Sequence, residues 1–181
     1  MLEYFFENSR KVGVFQFGEK IDVTDPAYRK GVRCRLAVAA KPGVYDCRVA
    51  IDNKGFIEAI IIHHVDAPVE RLNINMNIRC VGEICVDAAL AGFFNDKPDY
   101  VEDGTWGNVC EVMSRQEDVG TKYYFNRDGF FSQSGYGDGD YFVYGHECAE
   151  GVYDALCIVF IPVDEDSGWD DEDDDWDDSE S

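Results

Sequence analysis

The sequence predicts an α+β domain of β-rich character, an antiparallel sheet or sandwich-like body carrying one or two short helices. Two observations point there. Short alternating or apolar runs recur along the chain, and they are separated by tight Gly, Pro, Asn and Asp turns too short to join parallel strands. Only one segment, 103–117, carries a helical period over several turns.

Taken in order, "KVGVFQF" (11–17) alternates as a strand does, and "DVTDPAYRKG" (22–31) reads as a polar loop punctuated by Pro26 and Gly31. Cys34–Ala39 is a strand, "AKPGVY" a Pro-Gly turn, and "YDCRVAI" (45–51) the strand returning beside it. "DNKG" (52–55) then leads into "FIEAIIIHH" (56–64), which extends an antiparallel meander. In the stretch 80–100 an apolar strand precedes Ala88–Phe94, read as a single helical turn with Asp87 as its N-cap. In 103–117, Trp106, Val109, Cys110 and Met113 fall on one helical face. Strands return with "KYYF", "FFSQS", "YFVYGHEC" and "VYDALCIVFIPV", joined by "NRDG", a glycine-rich loop and "AEG". The last strand is apolar on both faces beyond Asp154, as a central strand is.

Charge divides the chain in two. Of its 37 acidic residues, twelve lie from Asp164 to Ser181 with no Lys or Arg among them, leaving 25 acidic against 16 basic residues before that point. The expected organisation is one globular domain over 1–163 and a disordered acidic tail over 164–181, whose repelling charges bury too little apolar area to offset chain entropy. A negative field repels a phosphate backbone, so direct nucleic-acid binding is not expected. The start lacks the basic and apolar regions of a secretory signal, and the longest purely apolar run, around Ala59–Ile62, is far too short to span a membrane. Seven cysteines, an odd number without a signal, read as reduced thiols in a cytoplasmic protein.

"VDAALAGFFNDKPDY" (86–100), "DVTDPAY" (22–28), "SGYGDGDYFVY" (134–144) and "ALCIVFI" (155–161) occur in an order that resembles a widespread bacterial and phage family catalogued only as a domain of unknown function. The resemblance spans roughly residues 20–161. It implies a shared fold and a set of positions, with no mechanism attached. Ala27 stands where that family often has Cys, and Ala89 where it often has Gly. A nucleophile at 27, or a left-handed turn needing glycine at 89, would therefore be missing here.

Four carboxylates are the candidate catalytic groups. Asp138 and Asp140 alternate with Gly135, Gly137 and Gly139, a pattern that can curve oxygens around Ca²⁺ or Mg²⁺, although the third acid and distal Glu of an EF-hand loop are lacking. The bland alternative is a wide inter-strand loop whose Asp side chains cap their own backbone. Asp25 and Asp87 lie in two other motif segments, so all four are expected to meet at one end of the sheet, where they would serve acid–base chemistry or a cation. Asp25 is otherwise a turn acid before Pro26. No cofactor is expected beyond such a cation. His146 and Cys148, with His63 or His64, lack any metal-ligand spacing and read as structural.

Tyr136, Asp138 and Asp140, with Trp169 and Trp176 of the tail, are the candidate binding residues, since aromatics within acid are how charged segments dock on basic partners. The function expected is thus a small acidic protein that binds a basic protein partner, in the manner of an immunity, inhibitor or phage accessory protein. A carboxylate-dependent enzyme or metal module on the Asp25, Asp87 and Asp138 loops is the alternative. A third is a component of a larger assembly, which an exposed strand edge at Lys11–Phe17 would favour. Oligomeric state is left open.

Overall fold

The computed structural model describes residues 2–29, 34–67, 78–117 and 120–162. The acidic tail, with Trp169 and Trp176, lies outside them. Eleven strands and two helices are described: α1 Leu2–Glu7, β1 Ser9–Phe17, β2 Lys20–Thr24, β3 Leu36–Ala39, β4 Gly43–Ile51, β5 Ile57–His64, β6 Ile78–Val86, β7 Leu90–Phe94, α2 Trp106–Glu117, β8 Tyr123–Phe125, β9 Gly129–Gln133, β10 Gly139–Ala149 and β11 Val152–Val159.

The strands form two antiparallel sheets, one of order β1-β4-β5-β11-β10-β6 and one of order β3-β2-β7-β9-β8. Alternation fixes their faces. Ile60, Ile62, Leu156 and Ile158 of the first sheet meet Val23, Val38, Phe93 and Phe130 of the second in the main core. The opposite face of the first sheet, with Ala50, Ala59, Ile61 and Cys157, lies under Phe5 and Phe6 of α1. The opposite face of the second, with Leu90, Phe94 and Phe131, lies under Trp106, Val109, Val112 and Met113 of α2. The order of layers is helix, sheet, sheet, helix. With six and twelve residues in the helices, the domain is mostly β rather than α+β.

The hairpins at "DNKG", "NRDG" and "AEG" pair as the turns require. At the first, the Asp52 carboxylate accepts the Lys54 and Phe56 amides at 2.8 and 2.7 Å and closes the turn. β11 is central, flanked by β5 and β10.

Several expectations are corrected. β3 and β4 do not pair with one another. The chain crosses from the second sheet to the first at Ala40–Pro42, where the Lys41 amide donates to the Tyr153 carbonyl. Part of the 22–31 loop is strand β2. Ala88–Phe94 holds no helical turn: residues 87–89 bend and Leu90–Phe94 is a strand buried along its whole length. Asp87 is therefore no N-cap. On α2, Cys110 is exposed and Val112 takes its place on the packed face. The N-terminal helix was not expected from sequence. It is stopped by Asn8, which bonds the Tyr4 carbonyl, and by Ser9, whose hydroxyl donates to the Phe6 carbonyl.

β1 forms one edge of the six-stranded sheet, with β4 its partner among the described residues. Among those residues no helix is long and apolar enough to cross a membrane.

Gly92 in β7 lies directly opposite Phe131 in β9. A Cβ there would stand 2.3 Å from Phe131 Cβ and 2.5 Å from the Phe130 carbonyl oxygen. Backbone cannot yield as a flexible side chain can, so Gly92→Ala is expected to cost about 1–3 kcal/mol by overpacking, read as a lower urea midpoint at unchanged slope.

Candidate functional site

Three loops meet at one end of the sandwich: 24–28 after β2, 86–90 between β6 and β7, and 134–139 between β9 and β10. Asp25 joins the first two. Its side chain is fully buried; Oδ1 accepts the Ala27 amide at 2.7 Å, and Oδ2 accepts the Asp87 and Ala88 amides at 2.9 and 2.8 Å. Burial pushes its pKa up, against the lowering effect of those three donors. Asp138 joins the second loop to the third by accepting the Ala89 amide at 3.0 Å, and the Ser134 amide answers by donating to the Ala89 carbonyl at 3.0 Å. Asp87 accepts the Tyr28 hydroxyl at 2.8 Å, and burial followed by that carboxylate raises the phenol's pKa.

The third loop is tied from within. Ser134 Oγ donates to the Gly137 carbonyl at 2.7 Å, and the buried Tyr141 hydroxyl donates to the same carbonyl at 2.6 Å. Gly135, at φ +54°, lets the chain turn against Phe160 and Ile161. Tyr136 projects from this loop with 70% of its surface exposed, edge-on to the Phe56 ring at 5.3 Å. Lys122 Nζ lies 5.2 Å from the Phe56 ring centre.

The loops that carry Asp25, Asp87 and Asp138 share hydrogen bonds at this end of the sandwich. Asp140 diverges. It stands on β10 opposite Cys85 of β6. The neighbouring Asp140 carboxylate, followed by the Cys34 thiol, pushes the Cys85 pKa up to about 12. Among the described residues no three His, Cys, Asp or Glu side chains are grouped to hold a metal ion.

Ala89 sits between the second and third loops at φ +51°, the left-handed region. Ala89→Gly is expected to stabilise the chain by about 1 kcal/mol, because the relief of that strain exceeds the added entropy of an unfolded glycine. The check is an upward shift of the urea midpoint.

One supporting residue, Lys97 in the segment 86–100, was not expected from sequence. Lys97 is fully buried; its Nζ donates to the Tyr28 carbonyl at 2.6 Å and to the Pro98 carbonyl at 2.9 Å, 5.0 Å from the Tyr100 ring centre. It holds the end of the Asp25 loop. Burial lowers its pKa to about 8. Its own amide donates to Asp22 Oδ2 at 2.9 Å, an oxygen shared with Arg35 at 2.8 Å.

His146 and Cys148 do not form a thiol–imidazole pair. His146 Nδ1 meets Asp154 Oδ1 at 2.6 Å, and the Cys148 thiol donates to the Val152 carbonyl. His63 and His64 point to opposite faces, the first onto Phe6 and the second onto Tyr45.

No protein-family model matches this chain, and no curated protein or solved structure matches it either.

Proposed function

We propose that this protein binds a basic macromolecule, a protein surface rich in Lys and Arg, at the end where the three loops meet. One observation carries the reading: Asp25 spends both oxygens on main-chain amides, so the loops are tied together while Asp87 and Asp138 remain exposed on them, as do Tyr136 on the third loop and Asp140 at the start of β10. A rigid loop end that presents carboxylates and one exposed aromatic favours association over bond-making chemistry. The net charge of −21 supports it by steering a cationic partner from a distance.

A carboxylate-dependent enzyme or cation module draws support from the meeting of the three loops. It is weakened by Asp25, whose buried oxygens are already taken by three amides, and by Asp140, which stands on β10 opposite Cys85. Kinship with the bacterial and phage family stays part of our reading. The left-handed Ala89 suits a position where that family often carries Gly, and Ala27 serves the clasp through its amide, which a Cys would supply equally.

The test compares retention of basic proteins on the immobilised full chain, on residues 1–162, and on a Tyr136→Ala/Asp138→Asn/Asp140→Asn variant. The Asp138→Asn change keeps a side-chain oxygen for the Ala89 amide. Retention is expected to fall at least tenfold in the triple variant, and to weaken as NaCl rises from about 0.05 to 0.5 M because screening shortens the reach of exposed charge. Retention equal in the variant, or indifferent to salt, would sink the proposal.

A further inference from the structure

The outer face of the six-stranded sheet holds a small hollow beside α1. Its walls are Phe6 of α1, Ile61 of β5, Ile78 of β6, Tyr144 of β10, and Ala155 and Cys157 of β11, and among these groups His146 of β10 supplies an imidazole. A bulge sets that ring. The β10–β11 register pairs His146 with Ala155 and Glu147 with Tyr153, so Asp154 falls between the two pairs as an extra residue. Such a bulge re-aims a side chain. Asp154 Oδ1 meets His146 Nδ1 at 2.6 Å, and the two side chains are only 8% and 10% exposed. A carboxylate can only accept, so the proton of the neutral ring sits on Nδ1 and Nε2 is an acceptor. Among the described residues no group donates to that Nε2.

We propose that this hollow is a binding site for a small neutral phenol, which lays its ring against the apolar walls and donates its hydroxyl to His146 Nε2. Three features select that class. Phe6 and Tyr144 are ring walls, and paired aromatics gain beyond their buried area. The unpartnered Nε2 needs a donor, which a hydroxyl supplies and a hydrocarbon does not. The Asp154 carboxylate behind the imidazole, in a chain of net charge −21, disfavours an anion of the same size.

The site holds its ligand without attacking it. Cys157, opposite Tyr144 on the neighbouring strand, is buried, and burial raises its thiol pKa well above the ordinary value, so it offers no thiolate to the hollow. His146 is the residue that touches the ligand. Asp154 is a positioning residue that fixes the tautomer and the direction of the ring. The hollow lies toward the Ala149 end of β10, whereas the three loops meet at its Gly139 end. This inference therefore does not depend on the binding function proposed above.

The isotopically labelled full chain is titrated with phenol, toluene and benzoate while the His146 ring and the Ala155 methyl are followed by NMR. Phenol is expected to shift both signals to saturation. Toluene should bind about three- to tenfold more weakly for want of the hydrogen bond, and benzoate more weakly than phenol. His146→Asn keeps an N–H near the Nδ1 position for Asp154 and has nothing in place of Nε2, so phenol should fall to the affinity of toluene. Ala155→Leu fills the hollow and should abolish binding, with its urea midpoint reporting that it folds; if it does not fold, His146→Asn decides. Nitrogen shifts of the neutral His146 ring should place its proton on Nδ1, and a proton found on Nε2 would overturn the role given to Asp154. No saturable shift with phenol, phenol no tighter than toluene or benzoate, or phenol affinity unchanged in His146→Asn or in folded Ala155→Leu would overturn the site.

Discussion

Replacing Asp25 with Ala is expected to lower stability by about 3–5 kcal/mol, because three amide donors lose their acceptor at once and each buried unpaired donor costs about 1–3 kcal/mol. The amides of Ala27, Asp87 and Ala88 converge on one carboxylate. Asp25→Asn is the sharper comparison. It is nearly the same size, but it turns one of the two acceptor oxygens into a donor. Either the Ala27 amide or the Asp87–Ala88 pair then faces an N–H instead of an oxygen. The Asn variant should fall between wild type and Ala, and urea midpoints at equal slope would rank the three. The pH dependence has a definite sign. Burial raises the Asp25 pKa above its unfolded value of 3.8, so this group's contribution is fully present below that value and is partly lost as pH rises through the folded one. The cost of Asp25→Ala should therefore not shrink between pH 7 and pH 4. If Asn matched wild type, the clasp would not depend on two acceptor oxygens, and Asp25 would become available as a reacting carboxylate.

Much of the fold was legible wherever local chemistry decides the pairing. Asp52 followed by Asn-Lys-Gly closes β4 on β5 by its own side chain, and the run Asn126–Gly129 closes β8 on β9 in the same way, the Asn126 oxygen accepting the Asp128 and Gly129 amides. Where a long-range partner decides, the sequence was silent. Lys41-Pro42-Gly43 is as good a hairpin turn as any, yet Tyr153 captures the Lys41 amide and sends the chain to the other sheet. Leu90–Phe94 is apolar on both faces because the core lies on one side and α2 on the other, and such a run has no period to separate strand from helix. α1 has six residues, too few to hold a helix alone, and it rests on Phe5 and Phe6 packing against Ala50 and Ala59.

The site divides along the same line. That the loops carrying Asp25, Asp87 and Asp138 come together was expected from their places in the three motif segments. That Asp25 is an acceptor for main-chain amides was not, because it requires the 87–88 peptide groups to point inward, and backbone direction leaves no mark in side-chain identity. Lys97 went unread for a related reason. A lysine before Pro98 suggests an exposed turn, and only the Tyr28 and Pro98 carbonyls facing one another draw it inside.

Raising the pH is expected to unfold the protein in two stages, a shallow loss above about pH 9 and a steep one above about pH 10.5. Cys47 and Cys157 are buried, and burial raises both thiol pKa values well above that of an unfolded thiol. Their contribution is fully present below the unfolded value of about 8.5 and is lost as pH climbs toward the folded one, at about 1.4 kcal/mol per unit for each thiol. Lys97 opposes them. Its folded pKa, about 8, lies below the roughly 10.4 of an unfolded lysine, so between those values the unfolded chain holds the extra proton and stability rises by up to about 1.4 kcal/mol per unit. The two effects partly cancel up to about pH 10.5. Beyond it the Lys97 contribution is complete, and the buried phenols of Tyr45 and Tyr100, also raised by burial, join the thiols in favouring the unfolded chain. Urea midpoints from pH 8 to 11 would trace this curve. A Cys47→Ala/Cys157→Ala variant should gain stability between pH 9 and 10.5, where wild type declines. Lys97→Met should decline more steeply than wild type over the same interval. Parallel slopes in all three proteins would mean that neither the two thiols nor Lys97 sets the alkaline limit.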